Sequence, residues 1–435
     1  MEWLIIVSFV IGYLLIVFEH PLKLDKAIPA LFMGIFIWSV IALNHMPLID
    51  VSGDHGTTEA VAHHLGKITE ILLFLLGAMT IVEVVDAHHG FSVITNRIRT
   101  KNKTHLLWII SALAFVLSSI LDNLTTTIVL VSLLRKLIYR REERIWYVAF
   151  VVIAANAGGA WSPIGDVTTT MLWIAGKVSS VQLIINLIVP SILCMAIPLI
   201  VASRMKIFKG NLEAAEDDEG YYSSKSSGIQ SSKIMLMVGV GALVFVPIFK
   251  SVTHLPPWMG VMFGLGIVWL VTEFVEPELD LDEQDRMKYT LRHALGRVEL
   301  SSILFFLGIL LAISGLESLG ILKDLAVKMD AIIPSQDLVA TLIGILSAII
   351  DNVPLVAAAI GMYEVPLDHE LWHFIAFSAG TGGSMLVIGS AAGVAAMGME
   401  KIDFIWYLKK ISGLAALGFL GGCIYLALVN YLRAA

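Results

Sequence analysis

Long apolar runs dominate the chain, and the polar interruptions between them recur in order. Runs near the roughly 20 residues needed to cross a bilayer fall at 2–18, 27–44, 68–86, 181–203, 234–253, 257–275, 300–316 and 411–431. Two more apolar segments, 147–176 and 372–399, are broken by glycines and polar residues. Two others, 106–138 and 338–363, carry an Asp-Asn pair near the middle. The order is the same in each half of the chain: three spans, an Asp-Asn segment, an interrupted segment, a last span. Three landmarks support a duplication. FLLGAMTIVE (74–83) matches FFLGILLAIS (305–314), aligning Gly77 with Gly308. SILDN (119–123) matches AIIDN (348–352), and NAGGAWSPIGD (156–166) matches GTGGSMLVIGS (380–390). The pattern predicts one repeat over 1–209 and another over 234–435, joined by an acidic, serine-rich linker at 210–233.

Charge adds orientation. Arg97, Arg99, Lys101 and Lys103 precede the first Asp-Asn segment, and Arg135, Lys136, Arg140, Arg141 and Arg144 follow it. Basic loops stay cytoplasmic, so both ends of the segment belong on the inside. The segment then enters and returns: a re-entrant hairpin with Asp122-Asn123 near its tip. Each half is left with five crossings. Five is odd, so the second half is upside down, and its hairpin opens outward, where few basic residues flank it. Ten crossings with both termini outside put most of the 29 lysines and arginines on the cytoplasmic side. The first 18 residues lack a basic leader and read as a membrane helix. The loop 276–298, acidic and then basic, predicts a helix on the membrane surface.

Composition fixes the class. Hydrophobic residues make up 57% of the 435 and charged residues 15%, with a mean hydropathy of +0.84. A soluble domain of this size cannot hide so much apolar surface. The fold class is an all-α polytopic membrane protein of two inverted repeats, each with a re-entrant helical hairpin and a broken transmembrane helix. A net charge of −7 without a basic block argues against a nucleic-acid partner. Two cysteines in apolar runs give no disulfide framework and no metal spacing. No hydrolase triad or Walker loop occurs, so neither an enzyme nor a cofactor is expected.

The chemistry concentrates where polar groups interrupt the apolar pattern. An aspartate at membrane depth costs roughly 2.5–3.5 kcal/mol on insertion scales and faces a cavity or a partner. Non-helical backbone is tolerated there only when buried in protein or lining water. Hairpin tips and helix breaks expose free N–H and C=O groups, and unwound carbonyls with side-chain oxygens suit a hard cation. A first site therefore gathers Asp122 and Asn123, with Ser119, Thr125 and Thr126, opposite the break 154–170. That break offers Asn156, Ser162, Asp166, Thr168, Thr169 and Thr170, and Gly158, Gly159, Pro163 and Gly165 keep it from being a regular helix. Two carboxylates among neutral oxygens fit a monovalent cation or a shared proton. A second site places Ser347, Asp351 and Asn352 against Thr381, Ser384 and Ser390, with Ser390 standing where Asp166 stands in the first half. The bland alternatives are close helix packing at the glycines and polar networks that only pin the hairpins. His63-His64 and His88-His89 read as exposed loop histidines without a task.

SSILDNLTTTIVLVSLLRK and AANAGGAWSPIGDVTTTMLW, at this spacing, resemble the NhaD-type sodium/proton antiporters of the ion transporter superfamily, along most of the chain. The resemblance implies inverted repeats, a homodimer built on scaffold helices, elevator-like movement and the inner membrane of a bacterium. It carries ion-site roles to Asp122, Asn123, Asn156, Asp166, Thr168 and Thr169, and to Ser347, Asp351 and Asn352. Na⁺ would sit on Asp122, Asn123, Asn156 and Asp166. The dicarboxylate branch is similar but has uncharged Ser-Asn-Thr hairpin motifs. Aspartate in place of that serine favours exchange of Na⁺ or Li⁺ for H⁺, because a carboxylate binds either cation. The alternative is a Na⁺-coupled symporter of a small carboxylate or oxyanion. Expected partners are membrane lipid, monovalent cations and protons.

Overall fold

A computed structural model describes the chain except for residues 50–55, 96–97, 99, 213–228, 276–288, 334 and 435. Most of the expected linker and the acidic part of the 276–298 loop lie outside the described residues; a short helix, Leu291–Arg297, covers the basic end of that loop. The first half comprises α1 (Glu2–Val17), α2 (Ala27–Leu43), α3 (Gly56–Ala87), α4 (Lys103–Ser118), α5 (Asn123–Leu137), α6 (Arg141–Gly159), α7 (Val167–Ile174) and α8 (Ser180–Ala202). The second comprises α9 (Ile229–Thr253), α10 (Pro257–Phe274), α11 (Leu300–Ser318), α12 (Ile321–Ile332), α13 (Gln336–Ser347), α14 (Asn352–Met362), α15 (Glu370–Gly382), α16 (Ala391–Glu400), α17 (Phe404–Lys410) and α18 (Ser412–Ala434). Among the described residues, six helices (α3, α8, α9, α10, α11 and α18) are long and apolar enough to cross a membrane. The chain is an all-α polytopic membrane protein.

The segments with Asp-Asn pairs fold as helix–turn–helix hairpins. In the first, both open ends meet one turn of α6. Lys103, at the start of α4, pairs with Glu143 at 2.8 Å, and Tyr147 donates to the Lys103 carbonyl at 3.0 Å. Arg144 donates to the carbonyl of Ile138, just past α5, at 2.8 Å. The segment thus leaves and rejoins the structure at one level. In the second hairpin, the Tyr363 hydroxyl beyond α14 meets Asp330 of α12 at 3.4 Å, which again brings the two open ends together.

The interrupted segments form the centre. Every residue from Tyr147 to Gly159 and from Leu371 to Gly382 is buried, as expected for a helix that is apolar all round. α6 ends at Gly158-Gly159 and α15 at Gly382, and the chain resumes as α7 and α16 after short irregular stretches. The glycines serve close approach: a Cβ on Gly158 would overlap the Phe115 carbonyl of α4, and one on Gly382 the Gly344 carbonyl of α13. A serine hydroxyl sits beside each seam, Ser118 on Ala155 O at 2.6 Å and Ser347 on Ala379 O at 2.8 Å. The remaining helices frame this centre. α2 packs on α11 and α3 on α10, α1 on α2 and α9 on α10, and α8 on α18. Gly77 faces Val261 of α10, and Gly308 faces the α2 backbone at Ala30.

A charged clamp ties the halves at one end. Glu400, the last residue of α16, is buried and accepts from Arg135 at 2.6 Å and Arg144 at 2.9 Å. Arg141 donates to the Glu400 carbonyl at 2.9 Å, and Arg135 to that of Met399. Burial alone would push the Glu400 carboxyl up; the hydrogen bonds and charges of Arg144 and Arg135 outweigh it and hold the group below its ordinary value.

Two expectations change here. His64 and His88 are buried rather than exposed: α3 begins at Gly56, well before the apolar run, and takes in His64, while His88 tucks in at the turn just past its end. His64 bonds Ser318 at 2.8 Å, and His88 bonds the Val84 carbonyl at 2.9 Å.

Candidate ion site

Four helix N-termini meet at the centre, and each begins at a residue singled out in the sequence. Asp122 caps α5, Asp166 precedes α7, Asp351 caps α14 and Ser390 caps α16. A helix N-terminus carries partial positive charge, which favours an anion within its first turn. Here the chain supplies its own anions. Asp122 takes the Thr125 N–H at 2.6 Å on one oxygen and the Thr125 hydroxyl at 2.9 Å on the other. Its backbone has φ 141° and ψ 166°, a region that glycine alone visits freely and that costs other residues of order 1–3 kcal/mol. An aspartate held there marks a position where the carboxylate matters more than backbone ease.

Asp122, Asn123, Asp166, Asp351 and Asn352 line one cavity of about 90 Å³, together with Lys26, Glu299 and apolar side chains of α3 and α11. Asp166 is 3% exposed. Its Oδ2 accepts the Thr168 hydroxyl at 2.9 Å and the Asn352 amide at 3.3 Å. Asn123 donates to the Asn156 carbonyl oxygen at 3.2 Å, and the Asn156 amide donates to Ser390 at 3.1 Å and to the Val152 carbonyl at 2.9 Å.

The expectation of two separate sites, one per half, is replaced by a crossed arrangement. Asn352 of the second hairpin reaches Asp166 of the first half, and Asn156 of the first half reaches Ser390 of the second. Asp351 does not face Thr381 or Ser384; its Oδ2 lies 3.1 Å from the Lys26 ammonium. The hydroxyls of Thr381 and Ser384 are spent on the Phe377 and Thr381 carbonyls, both at 2.7 Å. Ser347 is spent at the seam with Ala379. Thr169 bonds the Asp166 carbonyl at 2.9 Å, and Thr170 bonds that of Pro163 at 2.9 Å. Brought together are thus Asp122, Asn123, Asp166, Asp351 and Asn352 in the cavity lining, with Asn156, Ser390 and Thr168 hydrogen-bonded beside them. Lys26 was not foreseen as a cavity residue, and Glu299, at the start of its apolar run, reads either as an acid lining an ion entrance or as an interfacial acid. Lys26 stands at the edge of an apolar run, where a charged residue reads as a loop end.

Comparison with known proteins gives the family. A family model described as citrate transporter matches residues 13–374. Sodium/proton antiporter 1 of Arabidopsis thaliana is 48% identical over 97% of this chain and 72% of its own length. The Na(+)/H(+) antiporter NhaD of Alkalimonas amylolytica is 31% identical over 93% of this chain and 86% of its own. The chain belongs to the NhaD-type antiporter family. A further NhaD, from Vibrio cholerae, is 30% identical over 97% of this chain and 91% of its own. NhaD-type proteins are transporters, and this chain is a transporter rather than an enzyme. Among the described residues no His, Cys, Asp and Glu cluster forms a resident metal site.

Proposed function

We propose that this chain exchanges Na⁺ or Li⁺ for H⁺ by alternating access, with the cation and the protons sharing Asp122 and Asp166. The observation that carries the reading is one small cavity lined by both carboxylates, with Asn123 and Asn352 beside them. A carboxylate in such a place is neutralised either by a proton or by a metal ion, and that competition is enough for antiport. The relatives named for sodium/proton antiport supply the cation.

The symporter alternative is weaker on electrostatic grounds. A substrate carboxylate would seek helix N-termini, but three of the four at this centre are already met by the chain's own aspartates. Glu299 adds a further negative group to a lining in which Lys26 is the one lysine among the described residues.

The two halves, 1–209 and 234–435, joined by 210–233, are proposed as inverted repeats. Supporting this, the packing pairs exchange between halves: α4 with α6 and α13 with α15, α2 with α11 and α10 with α3, α5 with α16 and α14 with α7. A homodimer and the inner membrane of a bacterium complete the proposal; both rest on the family resemblance. The test is Na⁺-induced proton movement in everted vesicles. Wild-type activity with Asp122→Asn retaining full exchange discards the ion assignment, and uptake of labelled succinate driven by Na⁺ would replace antiport by symport.

A further inference from the structure

Among the described residues, Lys26 is the one cation in the lining of the cavity, whose other charged groups are Asp122, Asp166, Glu299 and Asp351. It stands just before α2, in a turn fixed by Asp25. That neighbour accepts from Ala27 N at 2.9 Å and from the Ser301 hydroxyl of α11 at 2.6 Å, so its carboxylate is occupied elsewhere. Lys23, three residues earlier, is exposed. Lys26 instead turns inward. Its ammonium lies 3.1 Å from Asp351 Oδ2 and 4.6 Å from the centre of the Phe305 ring. Both side chains of the pair are about one quarter exposed, 26% and 25%. The other Asp351 oxygen takes the Val353 N–H at 3.2 Å. A cation is therefore already seated on the carboxylate of the second hairpin, at the oxygen left free by the cap. The next side chain, Asn352, donates to Asp166, so this pairing also sets where the second tip meets the first-half acid.

We propose that the Lys26 ammonium is a resident cation that competes with incoming Na⁺ for Asp351. The idea rests on the antiport reading above and adds a residue to it. A lysine is suited to such exchange because it is a point charge on a long flexible stem and can leave without rearranging the backbone. While Lys26 stays, Asp351 is neutralised within the protein and Na⁺ depends on Asp122 and Asp166. When Na⁺ takes Asp351, Lys26 must withdraw toward Glu299 and the cavity mouth.

The test is a Na⁺ titration of proton movement in everted vesicles at one fixed pH, comparing wild type, Lys26→Gln and Lys26→Arg. Lys26→Gln is expected to lower the apparent Na⁺ KM about fivefold, the equivalent of about 1 kcal/mol for a partly exposed ion pair, with turnover less affected. Lys26→Arg keeps a competing cation and a high KM. In an Asp351→Asn background, Lys26→Gln should shift Na⁺ binding by less than about twofold, since the lysine then has nothing to compete for. An unchanged or raised KM in Lys26→Gln, with wild-type exchange intact, overturns the proposal. Absence of exchange in wild type overturns the antiport reading instead. A second measurement needs no variant: Lys26 modification by a small water-soluble amine reagent, read by peptide mass spectrometry in Na⁺ or choline. Faster labelling in Na⁺ supports displacement, and equal rates in the two salts overturn it.

Discussion

Gly165 stands one residue before Asp166, in the break that faces the first hairpin tip. A methyl group on its Cα would lie 2.6 Å from the Ser118 carbonyl oxygen and 2.9 Å from the Cα atoms of Gly159 and Ser119. All three are backbone atoms, so no rotamer change relieves the overlap. Ordinary contact begins at 3.4 Å, and in Gly165→Ala the tip and the break must part by about 0.8 Å. The Asn123–Asn156 bond, already 3.2 Å long, belongs to this same meeting of tip and break and would open. Overpacking costs about 1–3 kcal/mol, and the lost bond about 1 kcal/mol more, giving about 2–4 kcal/mol against the assembled site. The control is Gly398→Ala in α16, where a Cβ meets nothing within 4 Å. There alanine should gain roughly 0.5–1 kcal/mol of helix stability. The assays are the apparent melting temperature of detergent-purified protein and Na⁺-induced proton movement. Gly165→Ala should melt several degrees lower and exchange poorly, while Gly398→Ala matches or exceeds wild type. Equal behaviour of the two variants would refute the claim that tip and break meet here without a spare ångström.

Asp166→Asn removes the buried charge while keeping the shape, and the apparent Na⁺ KM should rise roughly 10- to 100-fold, the range for losing an interaction with a charged group; vesicle titrations measure it. Gly380→Ala would put a methyl 3.0 Å from Asp166 Oδ2, so a Na⁺ KM higher by about tenfold is expected with no loss of helix stability, alanine being the better helix former. Glu400→Gln leaves Arg144, 13% exposed, without its anion, and should cost about 2 kcal/mol, less than the 3–5 of a fully buried pair because Arg135 is 45% exposed. Because the Glu400 carboxyl is held below its ordinary value, its stabilisation is complete above the unfolded value near 4.3. It is lost as pH falls through the lower folded value. Melting curves of wild type and Glu400→Gln should therefore stay apart from neutral pH down to about 5 and converge only in stronger acid.

The elements were legible wherever apolar pattern and charge agreed. The expected hairpin 106–138 appears as helices 103–118 and 123–137, and 338–363 as 336–347 and 352–362. Glycine and proline mark the breaks because they remove backbone bonds or let helices touch, and those effects are local in sequence. The crossed site was not legible. Nothing in SAIIDN shows that Asn352 bonds Asp166 rather than a group in its own half, because register between two halves is set by packing over hundreds of residues. Lys26 gave the signal of a loop lysine, and its inward turn depends on Asp25 being tied to Ser301. The start of α3 was missed for a similar reason. GTTEAVAHHLGK has too many polar residues for a hydropathy window, yet His64 and Ala60 pack inward on one face of a regular helix.

The aligned breaks carry a difference that explains why an apparently doubled site has one charged side. Matching NAGGAWSPIGD to GTGGSMLVIGS pairs Asn156 with Gly380 and Asp166 with Ser390. In space the first member of each pair meets the second member from the other half. Asn156 reaches Ser390 at 3.1 Å, and Gly380 lies against Asp166 with no side chain to offer. Beside the neutral serine, then, an amide fills the space and completes the hydrogen bonds. Beside the acid, the filler is absent. The buried Asp166 carboxylate accepts from the Thr168 hydroxyl and the Asn352 amide, and a carboxylate charge in low dielectric is costly unless it is paired. A proton or a small cation removes that cost, and either one suffices. On the proposed duplication, two changes at aligned positions leave the acid side of these helix ends in want of a positive charge, as the proposed exchange of one cation against another requires.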